Sequence, residues 1–284
     1  MLKRMLILAL ALMLACLPAL AETTEPQPLE QGVTLTVDLD GDGTEESVLW
    51  EMAAGQYEDV LMVTVTGASG ARTTYPTDIL WGGVVYVVDL NGDGAMEILL
   101  SGDVMSDDYF TWCLRWDGEG LYEVLFPDIS RGSNTNGYFP TGYGRITAIE
   151  GRRVALSGSQ DVLGTWFGER TLALSPHDRF ELDDDGLWVR EPFQMDEAEL
   201  WEYAAVTLTQ PLDYMDEAGN PAGTLAAGEK LIISATDKQS RVLFYTQGGI
   251  TGALAISPNH EKDWGWLVDG IPEDECFNNL LYAD

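Results

Sequence analysis

Two stretches of this chain nearly repeat one another. Val37-Asp38-Leu39-Asp40-Gly41-Asp42-Gly43 and Val88-Asp89-Leu90-Asn91-Gly92-Asp93-Gly94 lie 51 residues apart. Short apolar or β-branched runs flank each one: Val33 to Val37 and Ser47 to Trp50 for the first, Val84 to Val88 and Ile98 to Leu100 for the second. These flanks read as strands, so each copy is a strand–loop–strand unit. A repeat of about this period signals stacked β units, because one such unit cannot bury its apolar face alone.

The strand pattern continues beyond the repeats. Val60 to Val65 is rich in β-branched residues, and the unbroken run Val84 to Val88 reads as a strand buried on both faces. Phe110, Trp112, Leu114 and Trp116 alternate with Thr111, Cys113 and Arg115, which places the four large residues on one face. Asp117-Gly118 and Asp185-Gly186 are hairpin signals, with Leu121 to Phe126 and Leu187 to Arg190 as the return strands. Helix is scarce. Met195 to Tyr203 is one candidate, with Asp196, Glu197 and Glu199 where the helix dipole favours negative charge, and Pro272 to Leu280 is a second. The expected fold is mainly β: an incomplete propeller-like or β-sheet repeat domain over residues 33–194, then a small β-barrel-like domain with short helices over 195–284. The boundary falls at about 192–205.

The first 21 residues read as a targeting signal. Lys3 and Arg4 precede an apolar core, and Ala19-Leu20-Ala21 offers a small-x-small cleavage pattern. Cys16 provides an alternative, lipid attachment at that residue. Residues 22–32 read as a short disordered leader. Setting aside Lys3 and Arg4 leaves 13 basic residues against 47 acidic ones, a net charge of −34. Such a surface excludes nucleic acid and adsorption to anionic lipid, which both require basic residues. No later run is apolar enough to span a bilayer, so an integral membrane protein is not expected. Cys113 and Cys276 have no metal-site spacing and read as two unpaired, buried thiols, with a single disulfide as the alternative.

The acidic loops carry the most specific chemistry. Counted from the first aspartate, Asp38, Asp40 and Asp42 take positions 1, 3 and 5, Gly43 position 6, Thr44 position 7 and Glu46 position 9. Asp89, Asn91, Asp93, Gly94, Ala95 and Glu97 repeat that series. Alternate oxygen-bearing side chains on a curled loop converge on one point, and calcium takes about six to eight oxygens at about 2.3–2.6 Å. Thr44 and Ala95 stand where a backbone carbonyl would add one more. An EF-hand also needs a glutamate at position 12 and a helix on each side. Position 12 is Leu49 or Leu100 here, and the flanks are strands. A dockerin loop is excluded for the same reason. The plain alternative is a pair of Asp/Gly-rich turns that hold no ion. A third acidic run, Glu181-x-Asp183-x-Asp185-Gly186, has Val189 at position 9 and reads as an ordinary hairpin.

The Asp-x-Asp-x-Asp-Gly-x-x-acid pattern between strands resembles the FG-GAP repeats of integrin α-chain propellers and of many secreted bacterial proteins. The resemblance covers about residues 33–102. It implies calcium ligation by Asp38, Asp40, Asp42, Thr44 and Glu46, and by Asp89, Asn91, Asp93, Ala95 and Glu97. Residues 205–284 resemble bacterial Src-homology-three-like barrels, through Leu212-Asp213-Tyr214-Met215, Gly223-Thr224-Leu225-x-x-Gly228-Glu229-Lys230 and Gly265-Trp266-Leu267. Such barrels often bind cell-wall peptides or act as packing modules.

Catalysis finds little support in the sequence. His177 and His260 sit in no triad or metal-pair motif, and there is no nucleophile elbow or phosphate loop. The expected function is an exported, non-catalytic calcium-binding module, secreted or at the bacterial cell surface, whose partner is cell-wall glycan or a surface protein. The alternative is a secreted glycan- or cell-wall-acting hydrolase with structural calcium, for which Asp103, Asp107, Asp108 and Asp161 are loose carboxylate candidates. Trp166 is the best candidate for a sugar-stacking tryptophan, although a place in the core is the better expectation for it.

Overall fold

The computed structural model describes residues 26–55, 58–105, 108–127, 137–183, 186–193, 195–262 and 265–282. The targeting signal, Cys16, Asp107 and Asp185 lie outside the described residues. The chain is mainly β, built from antiparallel sheets with no closed barrel among the described residues.

The first sheet is a meander of β1 (Leu35–Val37), β2 (Glu46–Ala54), β3 (Asp59–Thr66) and β4 (Arg72–Pro76). The second repeats that plan with β5 (Trp81–Val88), β6 (Glu97–Met105), β7 (Asp108–Trp116) and β8 (Leu121–Glu123). The registers agree as well as the order. Val37 faces Glu46 in the first sheet, and Val88 faces Glu97 at the same 51-residue offset in the second. Leu29, in the leader expected to be disordered, is instead tied to both sheets: its amide donates to the Val85 carbonyl, and its carbonyl accepts from the Trp50 indole. A small ribbon of β9 (Phe126–Pro127) and β10 (Tyr138–Phe139) follows. Next, β11 (Thr141–Tyr143) returns to the free end of the β7 edge that β8 leaves open.

The third sheet starts as another meander: β12 (Arg145–Glu150), β13 (Arg153–Asp161), β14 (Thr165–Ser175) and β15 (Arg179–Leu182). The expected return strand after Asp185-Gly186 forms as β16 (Trp188–Arg190), but it is not a hairpin partner of β15. It lies along the other end of β14, with Gly168 facing Arg190. The β14 edge is longer than β15 and would otherwise be left unpaired. Beyond it come helix α1 (Glu197–Tyr203) and strands β17 (Val206–Leu208), β18 (Leu212–Met215), β19 (Pro221–Leu225), β20 (Lys230–Thr236), β21 (Arg241–Thr246), β22 (Thr251–Asn259), β23 (Gly265–Val268) and β24 (Ile271–Pro272). Helix α2 (Glu273–Cys276) and β25 (Phe277–Asn278) complete the chain. Trp188 faces Thr236 and Val189 faces Ala235, so one ladder bridges the boundary expected near 192–205.

Three cores separate these layers. Val48, Leu61, Val63 and Val65 of the first sheet meet Ile98, Leu100, Trp112, Leu114 and Trp116 of the second. Leu99 and Cys113 point the opposite way and pack on Val154, Leu156, Leu172 and Leu174 of the third. The strand buried on both faces is therefore β6, whose residues from Glu97 to Gly102 are all buried, whereas most of β5 is only half-buried. An unbroken apolar run marks a doubly covered strand only where sheets lie on both sides, and that is a tertiary matter. A third core, with Trp188, Phe244, Leu254 and Trp266, fills the C-terminal part. Cys113 and Cys276 are free, and they belong to different cores. Among the described residues, no helix is long and apolar enough to cross a membrane.

Helix α1 ends at Tyr203 as expected but begins at Glu197, two residues later than the expected Met195. Asp196 caps it, accepting from the Ala198 and Glu199 amides at 3.0 Å each. The turn between β20 and β21 is fixed in a related way. Asp237 Oδ1 accepts from the amides of Gln239, Ser240 and Arg241, and Lys238 sits at φ 56°. Burial alone would raise the Asp237 carboxyl, but the Ser240 hydroxyl and these amides outweigh it and hold the group below 3.8. Asp237 thus stabilises the fold above its unfolded pKa, and that contribution is lost as the pH falls through the depressed folded value. Asp237→Ala should cost about 1–3 kcal/mol in denaturant titrations at pH 7. The deficit should shrink as the same titrations are run in progressively more acidic buffer.

Candidate metal centre

The two loops have the same internal architecture. In the first, Asp38 accepts from the Gly41 amide at 2.8 Å and from the Gly43 amide at 2.8 Å. Asp40 accepts from Asp42, and Asp42 from Thr44. In the second, Asp89 accepts from Gly92 at 2.7 Å and Gly94 at 3.0 Å, Asn91 from Asp93, and Asp93 from Ala95. Gly41, Gly43, Gly92 and Gly94 all have φ between 75° and 90°, a region that a side chain disfavours. Thr44 and Ala95 thus contribute amide donors to the curl.

Position 2 and position 9 tie each loop to the body of the protein. Leu39 is buried in the core between the first and second sheets, and Leu90 in the core between the second and third. Full burial of one such side chain contributes roughly 1.5–3 kcal/mol. Glu46 Oε2 accepts from the Leu39 amide at 2.9 Å, and Glu97 Oε2 from the Leu90 amide at 2.8 Å. Both glutamates are buried at the start of their strands. The loops also touch each other, since the Met96 amide donates to the Leu39 carbonyl at 2.8 Å.

Their electrostatics differ. In the first loop, Asp38, Asp40 and Asp42 each bring a carboxylate oxygen within 4.8 Å of the others. No basic side chain pairs with them or with Glu46 among the described residues. Burial raises the Glu46 carboxyl above its ordinary value, the Leu39 amide opposes this, and Asp40, Asp42 and Asp38 add repulsion. In the second loop Asn91 replaces the middle carboxylate and donates to Asp93 at 2.9 Å. Arg115 fills the rest of the charge requirement. Its guanidinium reaches Asp93 at 2.9 Å, Glu97 Oε1 at 3.2 Å and Asp178 at 2.6 Å. Burial works against the Arg115 charge, but Asp93 and Glu97 outweigh it and raise its pKa. Burial likewise tends to raise Asp93, yet the Ala95 amide and Arg115 bring it below its ordinary value. Glu97 is fully buried and is pushed up to about 7 by desolvation, with the Leu90 amide and Arg115 pulling the other way.

The register explains the asymmetry. One step beyond Ile98↔Leu114, Glu97 stands opposite Arg115. One step beyond Ser47↔Thr66, Glu46 stands opposite Gly67. The first repeat therefore has a glycine where the second has its arginine, and a Cβ there would lie 3.2 Å from the Trp116 ring. The first loop fits a bound cation. The second already holds a guanidinium against two of its expected ligands. Arg115 is the residue of this centre that the loop spacing did not reveal. Its one signal is a lone basic residue in the apolar strand β7, opposite the repeat glutamate.

The other carboxylate candidates lie near one another. Asp103 in β6 faces Tyr109, next to Asp108 at the start of β7. Burial raises the pKa of the Tyr143 hydroxyl, and Asp108 and Asp161, which ends β13, both add to the rise. Trp166 is buried, as its core reading required. No protein-family model, curated protein or solved structure matches this chain.

Removing one partner of a buried ion pair strands the other, at a cost of about 3–5 kcal/mol. Arg115→Met should destabilise the protein by about that much in chelator-treated buffer, measured by chemical denaturation. Adding Glu97→Gln to Arg115→Met should recover most of the loss, because the stranded charge is then gone.

Proposed function

We propose that this protein is a non-catalytic calcium-binding β module that acts outside the cytoplasm, with the first loop as its calcium site. One observation carries the reading: three carboxylates converge in the first loop with no basic partner, while the matching loop keeps an arginine of its own. Asp38, Asp40 and Asp42 would hold the ion, with Glu46 bracing the loop behind them. Calcium would supply there the positive charge that Arg115 supplies one repeat later. The three successive meanders and the position-by-position match to FG-GAP loops support a propeller-like ancestry for the N-terminal part. The leader supports export, and the acidic surface suits a compartment rich in free divalent cations. Cell-wall glycan or a surface protein remains the proposed partner.

An ion that binds only the folded chain stabilises it by mass action, by about 2.7 kcal/mol at a hundredfold excess over Kd. Thermal melting in millimolar calcium should therefore give a midpoint several degrees above that in chelator. Asp40→Ala should abolish the difference, and a midpoint indifferent to calcium in the unaltered protein would sink the reading. Equilibrium dialysis should find one tight calcium per chain, carried by the first loop.

A further inference from the structure

One arginine among the described residues, Arg190 at the end of β16, is held by rings rather than by acids. Its guanidinium lies between two rings, 5.1 Å from the centroid of Trp166 and 4.8 Å from that of Phe193. Its Nη1 donates to the Ile233 carbonyl at 3.0 Å. No carboxylate pairs with it among the described residues, although the chain as a whole is strongly acidic. The adjacent Glu191 also lines the cleft, but its carboxylate accepts from the Ser157 hydroxyl and makes no ion pair with Arg190. Burial is the main influence on the group and draws its pKa down to about 10, so it stays charged at neutral pH. Arg115, by contrast, meets three acids, and Arg153 and Arg179 meet one each.

Arg190 lines a cleft of about 370 Å³ at the seam between β14, β16, α1 and the C-terminal segment. That volume suits a small organic ligand. Trp166 and Phe193 form apolar walls, and Phe167, Tyr203 and Leu281 stand exposed around it. The site is built by the backbone as well. Gly168, opposite Arg190 in the ladder, has no Cβ, and one there would lie 2.8 Å from the Trp166 ring. The glycine leaves room for the indole beside the guanidinium. A guanidinium carries five N–H donors in a rigid fork that matches a carboxylate, and only one is used on Ile233. Stacking between rings fixes the fork before any ligand arrives.

We propose that this cleft binds a small ligand bearing a carboxylate on a flat, apolar body. The carboxylate would take the free donors of Arg190, and the body would lie against the exposed rings of Phe167 and Tyr203. A bare oxyanion would satisfy the arginine but leave those two exposed rings uncovered.

The probes are benzoate, its neutral counterpart benzamide, and inorganic phosphate, titrated into the full chain by ligand-observed NMR in chelator. Benzoate should bind saturably, at least roughly tenfold tighter than benzamide, because a charge-assisted pair is lost with the charge. Phosphate should not displace it at equal concentration. Arg190→Met should abolish benzoate binding, and Arg190→Lys, which keeps the charge but not the fork, should weaken it. Equal binding of benzamide would overturn the proposal, as would displacement by phosphate, which would mark a general anion site. The comparison of benzoate with benzamide needs no altered protein, so it stands even if the variants fail to fold.

Discussion

The buried glutamate that opens the second strand of each repeat holds the N-terminal architecture together. Its side chain reaches back seven residues to the amide of a leucine, and that leucine is sunk in a core between sheets. The loop cannot uncurl without pulling the leucine out of the core. The strand cannot slip without exposing the glutamate to the wrong face, since a one-residue shift reverses every side chain. Loop geometry, strand register and layer packing are therefore one constraint rather than three.

A positive partner stabilises a buried carboxylate, and among the described residues only the second repeat supplies one from the chain itself. The second does so with Arg115, which crosses one ladder step to reach Glu97 and also holds Asp93 and Asp178. The first has Gly67 at the matching step and a cluster of three carboxylates instead. A side chain there would press on Trp116, which closes the core between the first two sheets, and the ring would have to give by a few tenths of an ångström. The two repeats thus carry an internal cation in one layer and an open acidic loop in the other.

The third sheet extends the layered stack into the C-terminal part without a break in the ladder. The edge of β14 carries β15 at one end and β16 at the other, just as the edge of β7 carries β8 and β11. That handover brings β16 beside β20 and leaves Arg190 between rings from two separate segments of chain. The cleft at this seam follows from how an edge strand is shared.

The sequence by itself determined the mainly β fold, the repeated loops, the face shared by Phe110, Trp112, Leu114 and Trp116, and the short helix that ends at Tyr203. Each of these depends on residues a few positions apart, or on composition, so spacing alone reports it. The tertiary structure decided which strand is buried on both faces, where β16 pairs, how the ladder crosses the expected domain boundary, and which loop has a cation of its own. Arg115 and Glu97 are 18 positions apart, and Arg190 and Trp166 are 24 apart. Whether such groups meet depends on register and on which sheets stack. Those are set by the burial of the whole apolar surface, and no local pattern in the chain records them.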